Sequence, residues 1–394
     1  MSVPRAASHP LPWLALLAIV VMALNLRPIL AATGPLLDTI QAATGLTDQQ
    51  AGLMTTLPIF VMGLCALAAA PLQRWLGGRL GITLGAVVIA LACALRWVWP
   101  SADTLIMTAV LSGLGIALVQ ALMPGVIKAQ FAARAGMLMG LYSTGIMGGA
   151  AFAAALTPSL AQQLDWSAAQ ALWALPAIAA AVLWWKQCRD PGSNITSGEP
   201  AGMAPSVWRS GRAWLLMLFF GIGTGAYTLV LAWLAPYYMQ LGWSSTSSGL
   251  LLAAISVGEV CAGLLVSLLI GRFPDRRLLL LLVLGLITVA LCGLLWMPIS
   301  GVVPITVLLA LGIGALFPLS LIITLDHARS SRHAGALLGF VQGGGYMLSS
   351  VMPLVAGMLR GGDAGLELAW AIMIVGCVVL AVMAWRFKPL AQPA

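Results

Sequence analysis

Long apolar windows, each about the length of one membrane crossing and separated by short polar or Pro/Gly-containing breaks, follow one another along nearly the whole chain. Crossing the hydrocarbon layer as an α-helix takes roughly 20 predominantly apolar residues. Twelve windows meet that need, at residues 12–37, 49–70, 80–99, 103–126, 136–161, 167–185, 213–238, 247–270, 278–298, 302–325, 335–359 and 366–387. The pattern predicts an all-α membrane protein of twelve transmembrane helices. The longest polar stretch, residues 186–212, divides the windows six and six and has the composition of a flexible linker. The expected organisation is a six-helix bundle over 1–185, a cytoplasmic linker over 186–212 and a second six-helix bundle over 213–394.

Composition agrees with this and excludes a water-soluble domain. The 394 residues are 61% hydrophobic and 8% charged, with a mean hydropathy of +1.01, and so few charges could not cover a surface facing water. The net charge of +8 follows from where the basic residues fall rather than from an acidic partner such as nucleic acid. Of the 19 Lys and Arg, all but Arg27, Arg96 and Arg360 lie on one side of the twelve-span arrangement. That is the positive-inside bias, and it places both termini in the cytoplasm; a bacterial inner membrane is the expected location. A missed or extra helix would scramble the sorting, so the bias also checks the count.

The first window follows Arg5 and contains the small residues LAATG, as a secretory signal would, but its length and the charge of Arg27 argue against cleavage. Cys65, Cys93, Cys261, Cys292 and Cys377 fall within windows as small buried hydrophobes. Neither they nor Cys188, His9, His327 and His333 show metal-ligand spacing, so no metal and no other cofactor is expected. The NIT triplet at Asn194 falls in the cytoplasmic linker, where a glycosylation match is accidental.

Comparing the halves reveals a repeat. AGMLMGLYSTG from Ala135 aligns with AGALLGFVQGG from Ala334 at an offset of 199 residues, sharing Ala135/Ala334, Gly136/Gly335, Leu138/Leu337, Gly140/Gly339 and Gly145/Gly344. GLTDQQAGL from Gly45 aligns with GWSSTSSGL from Gly242 at an offset of 197, sharing Gly45/Gly242, Gly52/Gly249 and Leu53/Leu250, with Thr47 opposite Ser244. Two six-helix bundles in the same orientation, related by an axis along the membrane normal, account for both.

An arginine in a span costs about 2.5 to 3.5 kcal/mol on insertion scales, so Arg27, deep in the first window, has to be offset. Its own helix supplies Asn25 and the carbonyls loosened by Pro28, but no acid within ten residues. Either carbonyls of adjacent helices satisfy it, or it faces an aqueous central cavity where its planar fork takes a carboxylate, a nitro group or another flat acceptor. The second reading makes Arg27 and Asn25 substrate contacts. Glu259 is the only carboxylate well inside a window. A carboxyl group taken out of water exchanges its proton nearer neutral pH, which suits proton coupling; the alternatives are a structural hydrogen bond or a pair with Arg27. The further polar candidates are Gln120, Tyr142, Ser143, Tyr227, Gln342 and Tyr346, with Ser143 and Gln342 equivalent by the 199-residue offset. Arg96, among tryptophans near the outer end of the third window, is expected to snorkel to the interface. The glycine clusters GIMGG from Gly145 and GGGY from Gly343 allow close helix contact and small rocking motions.

NLRP at residues 25–28, GPLL from Gly34, GLTDQQAGLMTTLP from Gly45, LR at Leu95 and GIALVQALMPGVIK from Gly115 carry a resemblance that spans essentially the whole chain. It resembles the cyanate permease branch of the major facilitator superfamily, and within that branch especially the enterobacterial members that export 2-nitroimidazole. The resemblance implies twelve helices, a central site between the halves and Arg27 as a substrate contact. GRFPDRR, residues 271–277, resembles the superfamily's loop motif of Gly followed four residues later by Asp-Arg; the first half has Ala69 and Gln73 at those places and Arg74 matching. On that basis Arg74, Arg79, Asp275 and Arg276 are expected to form a cytoplasmic gate.

The function expected is that of a secondary transporter, not an enzyme, working by alternating access as a monomer in the lipid bilayer. It would export small polar or anionic organic compounds such as 2-nitroimidazoles, coupled to protons through Glu259. The alternative is an uptake permease for a small anion such as cyanate. A membrane-embedded enzyme would need a catalytic constellation that the windows lack, and no glycine-lysine loop for ATP is present.

Overall fold

The computed structural model describes residues 13–131, 134–187, 205–273, 275–328, 330–362 and 365–387. Every regular element among them is helical, and together they make twelve spans. Spans 1 to 6 are Trp13–Thr44, Asp48–Leu67, Pro71–Val98, Ala102–Gln130, Ala135–Gln163 and Trp166–Gln187. Spans 7 to 10 are Gly211–Gln240, Ser245–Arg272, Arg276–Trp296 and Val302–Asp326, and span 12 is Gly365–Ala384. Span 11 is divided at Ser350 into Ser331–Ser349 and Val351–Arg360. Most of the expected linker, 188–204, lies outside the described residues, as do Arg5, His9, Cys188 and Asn194. Lys186 and Gln187 complete span 6, and Pro205–Trp208 form a short helix whose Trp208 packs on Trp214 and Phe340.

Helix starts follow from short polar side chains. Thr47, Ser101, Asp165, Ser210, Ser244, Asp275 and Ser330 each accept a main-chain N–H of the helix that follows, which satisfies donors that the first helical turn leaves open. Large apolar side chains such as Leu268, Leu278, Val289 and Val375 are exposed along the spans, as a surface facing lipid requires.

Packing repeats from half to half. In the first half span 3 packs on 4, 2 on 4, 3 on 6, and 1 on both 5 and 6; in the second half span 9 packs on 10, 8 on 10, 9 on 12, and 7 on both 11 and 12. The halves meet through spans 5 and 8 and through spans 2 and 11.

The repeat found in the sequence is built into this interface. Gly45 and Gly242 both take left-handed backbone angles, with φ of 70° and 92°, and Thr47 and Ser244 cap the helices that follow. One turn further on, Gly52 lies against span 11, where a methyl group would sit 2.7 Å from the Pro353 carbonyl oxygen, and Gly249 meets the Ala154 carbonyl of span 5 more closely still. The offset of 199 residues also relates Pro353 to Ala154. These two seams close one end of the molecule.

Side chains fasten the same end. Arg360, at the end of span 11, pairs with Asp38 of span 1 at 2.7 Å and Asp48 of span 2 at 3.3 Å. It also donates to Gln41 at 3.2 Å and lies 5.5 Å from the Trp233 ring centre in span 7. Gln162 of span 5 donates to Thr246 of span 8 at 3.0 Å. The opposite, basic end carries the loops after spans 2, 4, 8 and 10. There spans 5 and 11 border open space, for positions Gly136, Gly140 and Gly339 have nothing within 4 Å of where a methyl group would lie, while spans 2 and 11 still touch at Leu67 and Gly343.

The two ends should respond differently to an added methyl group. Gly52→Ala and Gly249→Ala overpack a closed seam and are expected to cost about 1–3 kcal/mol. Gly136→Ala and Gly140→Ala, helical and facing open space, are expected to be neutral or to gain up to about 1 kcal/mol. Thermal unfolding of the four purified variants in detergent separates the two outcomes.

Candidate substrate-binding site

The site begins with an interruption of span 1. Pro28 has no N–H to return to the preceding turn and instead opens a new four-residue helix, Pro28–Ala31, with Arg27 at its start. Ahead of the break, the Asn25 N–H turns to Met22 O. The Asn25 side-chain amide takes the Val21 carbonyl at 2.6 Å and reaches Pro176 O of span 6 at 3.1 Å. Beyond it, the Thr33 N–H turns to Leu30 O, and the Ile29 carbonyl accepts instead from Thr33 Oγ1 at 3.0 Å and Arg96 Nη1 at 3.3 Å. Gly149 lets span 5 approach the break, since a methyl group there would collide with the Leu24 carbonyl oxygen.

Two expectations are corrected by this arrangement. Asn25 does not line the cavity: it is buried, and its side-chain amide holds the Val21 carbonyl that the broken helix leaves open and the Pro176 carbonyl of span 6. Arg96 does not snorkel. It is 1% exposed and donates to Thr108 at 3.1 Å and Gln170 at 2.9 Å as well as to Ile29 and Thr33. The neighbouring Trp97 and Trp99 are the exposed residues; at 100° per residue the helix turns Arg96 inward as it turns them out.

Between the halves lies a cavity of about 460 Å³ that runs from Arg27 to Gly136, Gly140, Ser267 and Leu321 near the basic end. Arg27, Gln120, Ser143, Tyr227, Glu259 and Tyr346 line it. The Arg27 guanidinium lies 5.5 Å from the Tyr227 ring centre, a favourable cation–π placement. Arg27 and Glu259 are each 5% exposed. They lie within electrostatic reach of one another, yet no ion pair of 4.0 Å or less joins them among the described residues. Glu259 is braced from behind, because Gly314 of span 10 lies directly against its main chain.

Arg27 Nε, Tyr142 OH, Tyr227 OH and Glu259 Oε2 are all buried without a hydrogen-bond partner. Nine in ten or more buried polar groups in proteins are paired, so a group of orphans needs an explanation. Tyr142 stands behind the cavity wall rather than on it, within electrostatic reach of Arg27. On the cavity face itself, the Arg27 guanidinium, the Glu259 carboxyl group and the Tyr227 hydroxyl keep hydrogen-bonding capacity unspent.

Gln342 does not line the cavity, although Ser143 does. Span 5 borders the cavity along several turns, from Gly136 to Met147, whereas Tyr346, one repeat offset from Met147, is the residue span 11 contributes. The sequence reading missed the apolar wall, in which Phe220 lies 5.7 Å from Phe317 and 5.4 Å from Tyr346 between ring centres. Phenylalanines in an apolar helix carry no signal that separates a cavity face from a lipid face.

The residues expected to form a gate stand at the basic end, where the contacts seen for them tie spans of one half together. Arg79 of span 3 donates to Trp185 O of span 6 at 2.7 and 3.0 Å and stacks 4.1 Å from that ring. Arg276 pairs with Asp326 at 3.3 Å and donates to Ile270 O and Phe273 O. Asp275 pairs with Arg277 at 2.7 Å, whose hydrogen bonds hold the Asp275 carboxyl below the usual range. Arg74 is exposed.

Residues 15–333 and 240–394 match the Major Facilitator Superfamily, and the chain belongs to it. Among curated proteins it is 37% identical over 380 residues to the cyanate transport protein CynX of Escherichia coli (strain K12), covering 96% of this chain and 98% of that one. It is 30% identical over 366 residues to the 2-nitroimidazole transporter of the same strain, covering 93% and 92%. The fold matches a D-xylose–proton symporter with a TM-score of 0.79 at 14% identity, covering 96% of this chain and 98% of that one. It matches a bacterial homologue of the human lysosomal transporter Spinster, in an inward-facing and unoccupied conformation, with a TM-score of 0.72 at 17% identity, covering 98% and 100%. The chain is therefore a multi-pass secondary transporter and not an enzyme.

An unpaired guanidinium is a stability cost carried by the empty protein. Arg27→Met is expected to raise the ligand-free melting temperature, by the equivalent of about 1–3 kcal/mol. Asn25→Ala, which strands the Val21 carbonyl and unties span 1 from Pro176, is expected to lower it by about as much. Opposite signs in a thermal unfolding assay distinguish a site residue from a scaffold residue.

Proposed function

We propose that the protein carries a small monovalent anion of the cyanate kind across the inner membrane together with a proton. The observation behind this reading is that Arg27 and Glu259 face one cavity from opposite halves and are not paired with each other. An anion seated on Arg27 lies near Glu259, and two adjacent negative charges repel. The anion therefore binds best when Glu259 holds a proton. Co-binding of this kind is the logic of symport, whereas an exchanger needs proton and substrate to compete. The expectation of 2-nitroimidazole export gives way on two grounds: this geometry, and the greater identity to the cyanate transport protein.

The positive-inside bias makes the basic end cytoplasmic, so the cavity faces inward and the end held by Arg360 faces outward, with both termini in the cytoplasm. Rocking of the halves about the central site opens the outer seams and closes the cytoplasmic end. Arg74, Arg79, Asp275 and Arg276 then come within reach of the opposite half and act as the gate. The site lies within one chain, so a monomer suffices. A second reading, a flat nitro-heterocycle on the same guanidinium, is supported by the ring wall of Phe220, Phe317 and Tyr346.

Reconstitution in proteoliposomes tests the scheme. Cyanate should accumulate when the outside is made acidic. Glu259→Gln should retain exchange of labelled for unlabelled anion yet lose accumulation, and Arg27→Ala should lose both. Efflux of substrate driven by inward proton flow would instead establish the exporter. Arg360→Gln should release the outer end, so that Thr246→Cys reacts about tenfold faster with an impermeant maleimide added from outside; an unchanged rate would deny Arg360 a part in closure.

A further inference from the structure

We infer that Arg96 is a positioning residue for the anion site: without reaching the cavity, it fixes the interrupted stretch of span 1 that carries Arg27. The inference rests on the reading of Arg27 as the anion contact.

The helix Pro28–Ala31 has four residues, too few to hold a direction by its own hydrogen bonds. Its orientation is set by what grips it. On the near side Asn25 ties the chain to Pro176 of span 6. On the far side the Ile29 carbonyl has lost the Thr33 N–H to which a continuous helix would bind it. Thr33 Oγ1 takes up that carbonyl at 3.0 Å from within the same span; Arg96 adds a donor from outside it, and the same guanidinium reaches Thr108 of span 4 and Gln170 of span 6.

A neutral side chain could have capped one carbonyl at lower desolvation cost. Only a rigid fork reaches oxygens on three separate spans in fixed directions. Arg96 also has no carboxylate among its hydrogen-bond partners; all are neutral oxygens. Gln170 turns its oxygen to Arg96 and is left with its own buried Nε2 unpaired. Two costs are thus accepted around a residue that touches no cavity, and what they secure is the place of a segment two residues from Arg27. The guanidinium at the site is thereby referenced to spans 3, 4 and 6 and travels with the first half when the halves move.

The test uses the full chain and two independent readings. In the first, Arg27→Cys in a background with the native cysteines replaced is labelled through the cavity by a small methanethiosulfonate. Adding Arg96→Lys, which keeps the charge and loses the fork, is expected to change that rate about tenfold. In the second, Arg96→Lys alone should raise the KM for cyanate about tenfold or more, with the maximal rate within about twofold. A lowered melting temperature with both readings unchanged would reduce Arg96 to a structural brace and overturn the inference. A changed labelling rate with an unchanged KM upholds the positioning role and overturns instead the assignment of the anion to Arg27. Should Arg96→Lys fail to fold, Gln170→Leu and Thr33→Val each remove one oxygen of the same tether; no change in either reading for both would overturn the inference.

Discussion

A membrane interior offers no water to a main-chain group that loses its partner, and this constraint governs how the protein holds a charge at its centre. Carrying Arg27 at mid-membrane with its fork free requires a break in span 1, and the break opens the carbonyls of Val21 and Ile29. Each receives a substitute donor from a side chain, Asn25 on one side and Arg96 with Thr33 on the other. The polar residues around the site therefore divide into two kinds. Asn25 and Arg96 spend their hydrogen bonds on main-chain carbonyls and neutral side-chain oxygens of the scaffold, while buried polar atoms of Arg27, Tyr142, Tyr227 and Glu259 stay unpartnered.

The scaffold is symmetric and its chemistry is not. Gly52 against Pro353 and Gly249 against Ala154 form matching seams between the halves, which lets one small rotation act alike on both sides of the axis. At the site the symmetry is broken. The 197-residue offset places Thr224 opposite Arg27 and Met62 opposite Glu259, and both counterparts line the cavity. One half thus contributes the cation and the other the acid, and any rocking of the halves alters the distance between them.

Much of this was legible in the sequence, for reasons that differ from residue to residue. Apolar length revealed the spans because lipid tolerates nothing else, and Gly45 with Thr47 and Gly242 with Ser244 revealed the repeat because a left-handed turn and a helix cap each demand particular residues. Arg27 stood out because its cost is high and its own helix holds no acid. Arg96 and Asn25 were misread because their partners are main-chain carbonyls and neutral oxygens on other spans, which leave no pattern in the chain. Gln342 was misplaced because the cavity borders span 5 along several turns but meets span 11 at Tyr346, a difference in depth that the repeat does not encode. Arg360 could be seen as the lone basic residue on its side, but its tie to Asp38 and Asp48 required knowing that the ends of spans 1, 2 and 11 converge.

Charge balance links the asymmetric site to the tightness of coupling on the proposed mechanism. In the open state water in the cavity screens Arg27 and Glu259 from each other and from the protein. Occlusion removes that water, and an uncompensated charge then costs several kcal/mol. Two forms of the site are neutral when closed: the loaded one, with an anion on Arg27 and a proton on Glu259, and the empty one, with the ionised Glu259 drawn to Arg27. A site holding only the anion or only the proton carries a net charge and resists closure. Leak is suppressed because the forms that would slip are the forms that cannot shed water cheaply, and no further gate residue is needed to enforce the ratio of one anion to one proton.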